Sequence, residues 1–106
     1  MDSDSAEDAA GDEVPDGVPF RRLLIVNKKG LHARASAKFV QVVDQFDATV
    51  TVTRAGETVG GRSIMGLLTL GAAKGTTITV TAEGHDAEAS LAAIEALVAS
   101  RFGEEE

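Results

Sequence analysis

Apolar and polar residues alternate in two stretches of the chain, strictly in residues 48–53 and again in residues 76–82. A period of two places the Val and Ile side chains on one face of a strand and the Thr side chains on the other. Residues 20–26 are more continuously apolar and predict a third strand, and residues 58–61 predict a short, weak fourth. The pattern favours a sheet with one dry face and one face exposed to water.

A helical repeat of three and four residues begins at about Ala33 and continues to about residue 45. Ser63 precedes a short apolar segment, residues 64–70, as an N-cap residue precedes a helix, and Asp86 stands in the same relation to a final helix. The element order is therefore β-α-β-β-α-β-α. It predicts an α+β fold, an open-faced β-sandwich in which a four-stranded antiparallel sheet is covered on one face by three helices.

The net charge of −7 belongs to one end of the chain. Residues 1–19 contain seven acidic groups and no basic ones, while the remaining 10 acidic and 10 basic groups balance. A segment with so few large apolar side chains cannot offset its ordering entropy, so residues 1–19 are expected to be a disordered acidic tail. The folded domain is expected at residues 20–103, and residues 104–106 as a frayed acidic end. A balanced domain argues against nucleic acid as a partner, because nucleic acid requires a concentrated basic face.

Several function classes are excluded by composition. The chain has no cysteine, hence no disulfide framework and no thiolate site. No apolar run approaches the roughly 18 residues of a membrane span, and the first residues are acidic where a secretory signal would be basic. We therefore expect a cytoplasmic protein with no membrane partner.

The stretch from Gly30 to Ser36 joins the first predicted strand to the first predicted helix and places His32 at the junction. Backbone N–H groups at a helix start favour anions, and Arg34 offers a planar fork of donors suited to phosphate. A neutral imidazole is a good nucleophile near physiological pH. We interpret His32 as a residue that accepts and gives up a phosphoryl group, although the residues alone leave open a purely structural role. No metal site is predicted, because no second histidine or carboxylate lies near His32 in the sequence.

The short helix after Ser63 carries more apolar side chains than a helix of its length can bury. A docking surface for partner proteins is therefore expected there. Its predicted members, together with His32, are Ala33, Ala37, Ile64 and Met65. Ser63 itself is explained as a helix cap by the residues alone, and His85 as a loop residue.

Two segments resemble one known family. Residues 30–40, GLHARASAKFV, resemble the active-site segment of the HPr family, the histidine phosphocarriers of the phosphoenolpyruvate-dependent phosphotransferase system. Residues 61–71, GRSIMGLLTLG, resemble the regulatory serine segment of the same family. The resemblance covers about residues 20–102 without a gap and implies the same open-faced sandwich.

The resemblance also implies roles for individual residues. His32 matches the histidine that enzyme I phosphorylates on Nδ1, and Arg34 matches the arginine that contacts the phosphoryl group. Ser63 matches the serine that an ATP-dependent HPr kinase/phosphorylase modifies in some bacteria, while Ile64 and Met65 match exposed positions at partner interfaces. The phosphoryl group would pass on to a downstream EIIA-type domain. Such a carrier performs half-reactions on itself and turns over no small molecule. It is expected to be a monomer. It needs no cofactor, because the Mg²⁺ of the reaction is required by enzyme I.

One position departs from the family pattern His-x-Arg-Pro, because this chain has Ala35 at the last place. Alanine is a good helix former, so we expect the helix to form and the chemistry to be retained with altered rates. The replacement of this proline by alanine resembles the sequence pattern of the nitrogen-related branch of the family, NPr. Two rival hypotheses remain: a non-catalytic interaction module switched by phosphorylation at Ser63, and a small-molecule-binding sandwich that would need a sizeable apolar pocket.

Overall fold

The computed structural model describes residues 13–106. Within that range the chain forms four strands and three helices in the predicted order, with bounds within about two residues of those expected. They are β1 (Phe20–Leu24), α1 (Ala33–Val43), β2 (Thr49–Arg54), β3 (Glu57–Gly60), α2 (Ile64–Thr69), β4 (Thr77–Glu83) and α3 (Ala87–Ala99). A 3-10 turn, Arg101–Gly103, follows α3.

The alternating segments pair into one antiparallel sheet with the order β1-β4-β2-β3. β4 lies between β1 and β2, and its register pairs Thr81 with both Phe20 and Thr51. Because side chains alternate along each strand, the apolar positions of the three longest strands share one face. The predicted four-stranded open sheet is therefore confirmed.

All three helices contribute to a single core with that apolar face. α1 buries Phe39 and Val43, α2 buries Leu67, and α3 buries Leu91 and Ile94. Burying each of these side chains contributes roughly 1.5–3 kcal/mol relative to exposure. The opposite face carries the threonines, of which Thr51 and Thr81 are half-buried. Thr79 differs from the expectation of a face exposed to water, because it is buried.

Two sequence predictions near the ends of the domain need qualification. Of the expected disordered tail, residues 1–12 lie outside the described residues. Pro19 belongs to the folded domain, since its carbonyl accepts a hydrogen bond from the Ala82 N–H at 3.1 Å. Asp86 is the N-cap residue of α3, as predicted, but its side chain makes no capping bond to that helix and accepts instead from the Asp47 N–H at 2.7 Å.

Between residues 13 and 106, no helix combines the length and the apolar character that crossing a bilayer requires.

Candidate functional site

The loop between β1 and α1 is fixed by Asn27 and Gly30. The Asn27 side chain is fully buried and its amide donates to the Gly30 carbonyl at 2.9 Å, while the Gly30 N–H donates back to the Asn27 carbonyl at 3.2 Å. Gly30 has φ +65°, and a Cβ there would lie 2.3 Å from the Ala72 carbonyl oxygen. Only glycine fits such a position. The next residue, Leu31, donates its N–H to that same carbonyl at 2.9 Å, which ties the loop to the segment after α2.

This loop delivers His32 to the N-cap position of α1. Its backbone is extended, with φ −74° and ψ −179°, and its carbonyl accepts the first helical bond from the Ser36 N–H at 2.9 Å. The N–H groups of Ala33, Arg34 and Ala35 precede that bond and have no partner within the helix. The His32 side chain makes no capping bond either, and is 26% exposed. The start of α1 therefore offers unused backbone donors beside an accessible imidazole.

The ring of His32 is hydrogen-bonded to a residue distant in sequence, Glu104. Its Nε2 atom hydrogen-bonds to Oε2 of Glu104, a residue 72 positions away. The other carboxylate oxygen of Glu104 accepts from the Asn27 amide at 3.1 Å, so Asn27 supports both the loop and the carboxylate. Nδ1 of His32 has no hydrogen-bond partner among residues 13–106. The expectation of a frayed acidic end was therefore wrong at Glu104.

The electrostatics of this contact favour an ionised carboxylate. The hydrogen bond from His32, helped by the hydrogen bond from Asn27 and by the charge of Lys29, lowers the pKa of Glu104, although burial of the group acts in the opposite direction. An ionised carboxylate only accepts hydrogen bonds. Its partner atom Nε2 must therefore carry a proton, which in a neutral imidazole leaves the lone pair on Nδ1.

His32 and Arg34 line one open cleft of about 580 Å³, as the sequence predicts. Its other lining residues are Lys28, Lys29, Ala33 and Glu104–Glu106. The side chain of Arg34 is exposed and makes no hydrogen bond or ion pair with residues 13–106, whereas Lys28 pairs with Glu106 at 3.3 Å. The cleft thus contains a free guanidinium beside a nucleophilic ring, an arrangement suited to an oxyanion. Its charged lining does not fit the small-molecule hypothesis, which required a sizeable apolar pocket.

The second predicted site lies outside this cleft. Ser63 caps α2, its Oγ accepting from the Gly66 N–H at 2.9 Å, and its side chain is exposed. Ile64 and Met65 follow it and are 39% and 70% exposed. Helices α1 and α2 pack against each other, but of the predicted partner-binding residues only Ala33 lines the cleft, and Ala37 does not.

Neither Glu104 nor Asn27 was predicted to belong to the site. The signal that could have indicated Glu104 is an acidic residue directly after Gly103, where a glycine turns the chain at a helix end. Arg101, Phe102 and Gly103 all have positive φ, and Lys38 holds the turn by donating to the Phe102 carbonyl at 2.7 Å. No group of three His, Cys, Asp or Glu residues able to hold a metal occurs in the described part of the chain.

The fold is an open-faced sandwich, and its histidine stands at a helix start whose backbone N–H groups are free to bind an anion. These features are typical of a phosphocarrier, and comparison with known proteins agrees. The family model described as "PTS HPr component phosphorylation site" matches residues 20–100. A phosphocarrier protein HPr of Cupriavidus necator is 45% identical over 86 residues, which cover 81% of this chain and 97% of that protein. A phosphocarrier protein NPr of Shewanella violacea is 43% identical over 84 residues, covering 79% and 92%.

A solved structure shows the same fold. The crystal structure of HPr-C-His from Thermoanaerobacter tengcongensis superposes with a TM-score of 0.80 at 39% identity, over 83% of this chain and 99% of that chain. The chain belongs to the HPr family, the phosphocarriers of the phosphotransferase system.

Proposed function

We propose that this protein accepts a phosphoryl group from phospho-enzyme I on Nδ1 of His32 and passes it to a downstream EIIA-type domain. The observation that carries the proposal is the state of the His32 ring. One nitrogen is held by Glu104, and the other has no partner among the described residues and stands at a helix start with unused N–H groups. Family membership supports the same chemistry.

The surrounding charges fit a carrier that must both take up and release its group. The backbone donors of α1 and the guanidinium of Arg34 would bind the phosphoryl oxygens as they arrive. Arg34 is exposed and the cleft is open, so the same atoms stay accessible to a second protein. No cofactor takes part on this chain, and the Mg²⁺ of the reaction would act on enzyme I.

The proposal is tested by incubating the protein with phosphoenolpyruvate, Mg²⁺ and enzyme I, followed by intact mass and acid treatment. We expect one acid-labile phosphate that is absent from His32→Ala. His85→Ala is the matched control, because His85 is an exposed histidine outside the cleft, and it should be phosphorylated like the wild type. An unphosphorylated wild type, with a donor that phosphorylates another HPr in the same tube, would refute the assignment.

The exposed apolar pair Ile64 and Met65 is proposed to dock partner proteins together with Ala33 and Ala37. Two adjacent large apolar side chains in water are unusual on a helix of six residues that already buries Leu67. Met65→Asp and Ile64→Asp should each slow transfer from enzyme I. The patch assignment is wrong if neither does so while both variants keep the wild-type melting temperature.

Ser63 is proposed as a second, regulatory phosphorylation site for an ATP-dependent HPr kinase/phosphorylase. Its hydroxyl is exposed although it caps α2, and it directly precedes the proposed docking residues. A doubly charged group there would repel an acidic partner surface. Kinase and ATP should add an acid-stable phosphate that Ser63→Ala lacks, and phospho-Ser63 protein should accept the His32 phosphate more slowly. Acid-stable phosphate on Ser63→Ala would place the modification elsewhere.

A further inference from the structure

The described structure contains a carboxylate that family resemblance did not assign to the site. Glu104 follows the 3-10 turn at the end of the domain, and its carboxylate is only 18% exposed. One oxygen contacts Nε2 of His32 and the other accepts from the buried amide of Asn27. Two hydrogen bonds to different partners fix the plane of the carboxylate.

The position of Glu104 is built by the fold rather than left to a loose end. The turn before it has positive φ at Arg101, Phe102 and Gly103, and the Phe102 side chain is fully buried in the core. Lys38 on α1 donates to the Phe102 carbonyl, which ties this turn to the helix that carries His32 at its start. The carboxylate and the imidazole are therefore held by the same rigid elements.

We propose that Glu104 is a positioning residue for phosphoryl transfer: by accepting the Nε2 proton of His32, it orients the ring and keeps the lone pair on Nδ1. The inference rests on the proposed function. A neutral histidine ring has one donor and one acceptor nitrogen, and the hydrogen bond made by one nitrogen decides the state of the other. Glu104 would act only through His32, since it contacts the nitrogen that does not receive the phosphoryl group.

The step balances without any further proton acceptor. The Nδ1 lone pair forms the bond to phosphorus, while the bond between phosphorus and the donor protein breaks and leaves its electron pair on the donor atom. The ring gains positive charge and keeps its Nε2 proton. Glu104 stabilises that charge as it develops, and onward transfer returns the electron pair to Nδ1.

The deciding variant is Glu104→Gln, which preserves size and removes the charge. A glutamine amide can donate to Nε2, so we expect the His32 proton to move in part to Nδ1 and the rate of phosphorylation by enzyme I to fall about tenfold, as when the outer partner of a metal-bound histidine is removed. The matched control is Glu57→Gln, an exposed glutamate at the start of β3 outside the cleft. It should retain the wild-type rate.

Two readouts are needed. Two-bond ¹H–¹⁵N spectra of the imidazole report which nitrogen carries the proton, and quench-flow phosphorylation reports the rate. A rate loss together with a tautomer shift in Glu104→Gln supports the proposal. An unchanged rate overturns it, and so does a lower rate with an unchanged tautomer, because a merely structural role would give that result.

The outcome also separates this inference from the proposed function. If the wild type is phosphorylated and Glu104→Gln equals it, only the positioning role fails. If the wild type is not phosphorylated by a demonstrably active donor, the proposed function fails and the positioning role fails with it.

Discussion

Two helices of this domain begin in opposite ways. His32 and Ser63 occupy the N-cap positions of α1 and α2, and both have extended backbone conformations. The Ser63 hydroxyl accepts from the Gly66 N–H, so the side chain caps its own helix. The His32 ring makes no bond to α1 and contacts Glu104 instead.

The difference shows that the start of α2 is stabilised by a side-chain cap, whereas the start of α1 lacks that contribution. A Ser cap contributes roughly 0.5–2 kcal/mol relative to alanine, and α2, with only six residues, depends on such a contribution. α1 has 11 residues and a buried face, so it forms without a side-chain cap. Its backbone donors then remain free for a ligand, which an occupied cap would exclude.

The largest effect is expected from giving α1 a side-chain cap. His32→Ser and His32→Ala both lose the Glu104 contact and the nucleophile, so neither should be phosphorylated by enzyme I. They differ only in capping ability, and His32→Ser should therefore be more stable by about 1 kcal/mol. Urea unfolding of the two variants measures this difference, and equal midpoints would contradict our account of the α1 start.

Two arginines near the helix ends give the next largest effect. Arg34→Ala should lower the phosphorylation rate about 100-fold, as expected for one lost donor to a developing oxyanion, with little change in stability because Arg34 is exposed. Arg62 is the matched control. It lies outside the cleft, pairs with Asp44, and donates to the carbonyl of Val43 at the end of α1 and to those of Phe46 and Ala48 beyond it.

Arg62→Ala should therefore do the reverse. We expect a loss of about 1–2 kcal/mol in stability, from the hydrogen bonds of the guanidinium to those carbonyls, and a phosphorylation rate near that of the wild type. Denaturant unfolding measures the stability of Arg34→Ala and Arg62→Ala, and quench-flow assays measure the phosphorylation rate of each. If both variants lose activity and stability alike, the two roles cannot be separated in this way.

Removing the cap of α2 should have a smaller effect. Ser63→Ala leaves the Gly66 N–H without its acceptor and should cost about 1 kcal/mol of unfolding free energy. Phosphorylation of His32 should be unchanged, since Ser63 does not line the cleft. A slowed reaction in this variant would show that the two helix starts are coupled.

The smallest expected effect is a pH dependence at Glu104. The hydrogen bond from His32 lowers the pKa of this carboxyl in the folded protein, so its ionisation favours the folded state. That stabilisation is present above the pKa of an unfolded glutamate, about 4.3, and is lost as the pH falls through the lowered folded value. The stability difference between wild type and Glu104→Gln should therefore shrink on acidification, as urea titrations at several pH values would show.

The parts of the fold that local patterns determine could be predicted from the sequence. Alternating Val and Thr at β2 and β4 define which face is buried, and the helical repeat from Ala33 defines α1. Gly30 and His32 lie between the end of β1 and the start of α1, and His32 directly precedes the helix, so their place at the strand–helix junction follows from the chain itself.

Contacts between residues distant in sequence could not be predicted from local sequence patterns. Glu104 reaches His32 only because three successive residues with positive φ turn the chain after α3, and two of them, Arg101 and Phe102, are not glycine. Phe102 is buried in the core, which offsets the strain of that backbone. Asp86 occupies the predicted N-cap position of α3, but its side chain accepts from the Asp47 N–H, a contact 39 residues away that the local sequence does not indicate.

The contact between Leu31 and Ala72 has a consequence for amide hydrogen exchange. Leu31 is a loop residue, but its N–H is bonded to a carbonyl and its side chain is buried, so it should exchange with solvent as slowly as the sheet. The amides of Ala33, Arg34 and Ala35 have no helical acceptor and should exchange much faster. A phosphoryl group on His32 would accept bonds from them and slow their exchange. These three consecutive amides, with the protected Leu31 amide as an internal reference, would then report whether His32 carries a phosphoryl group.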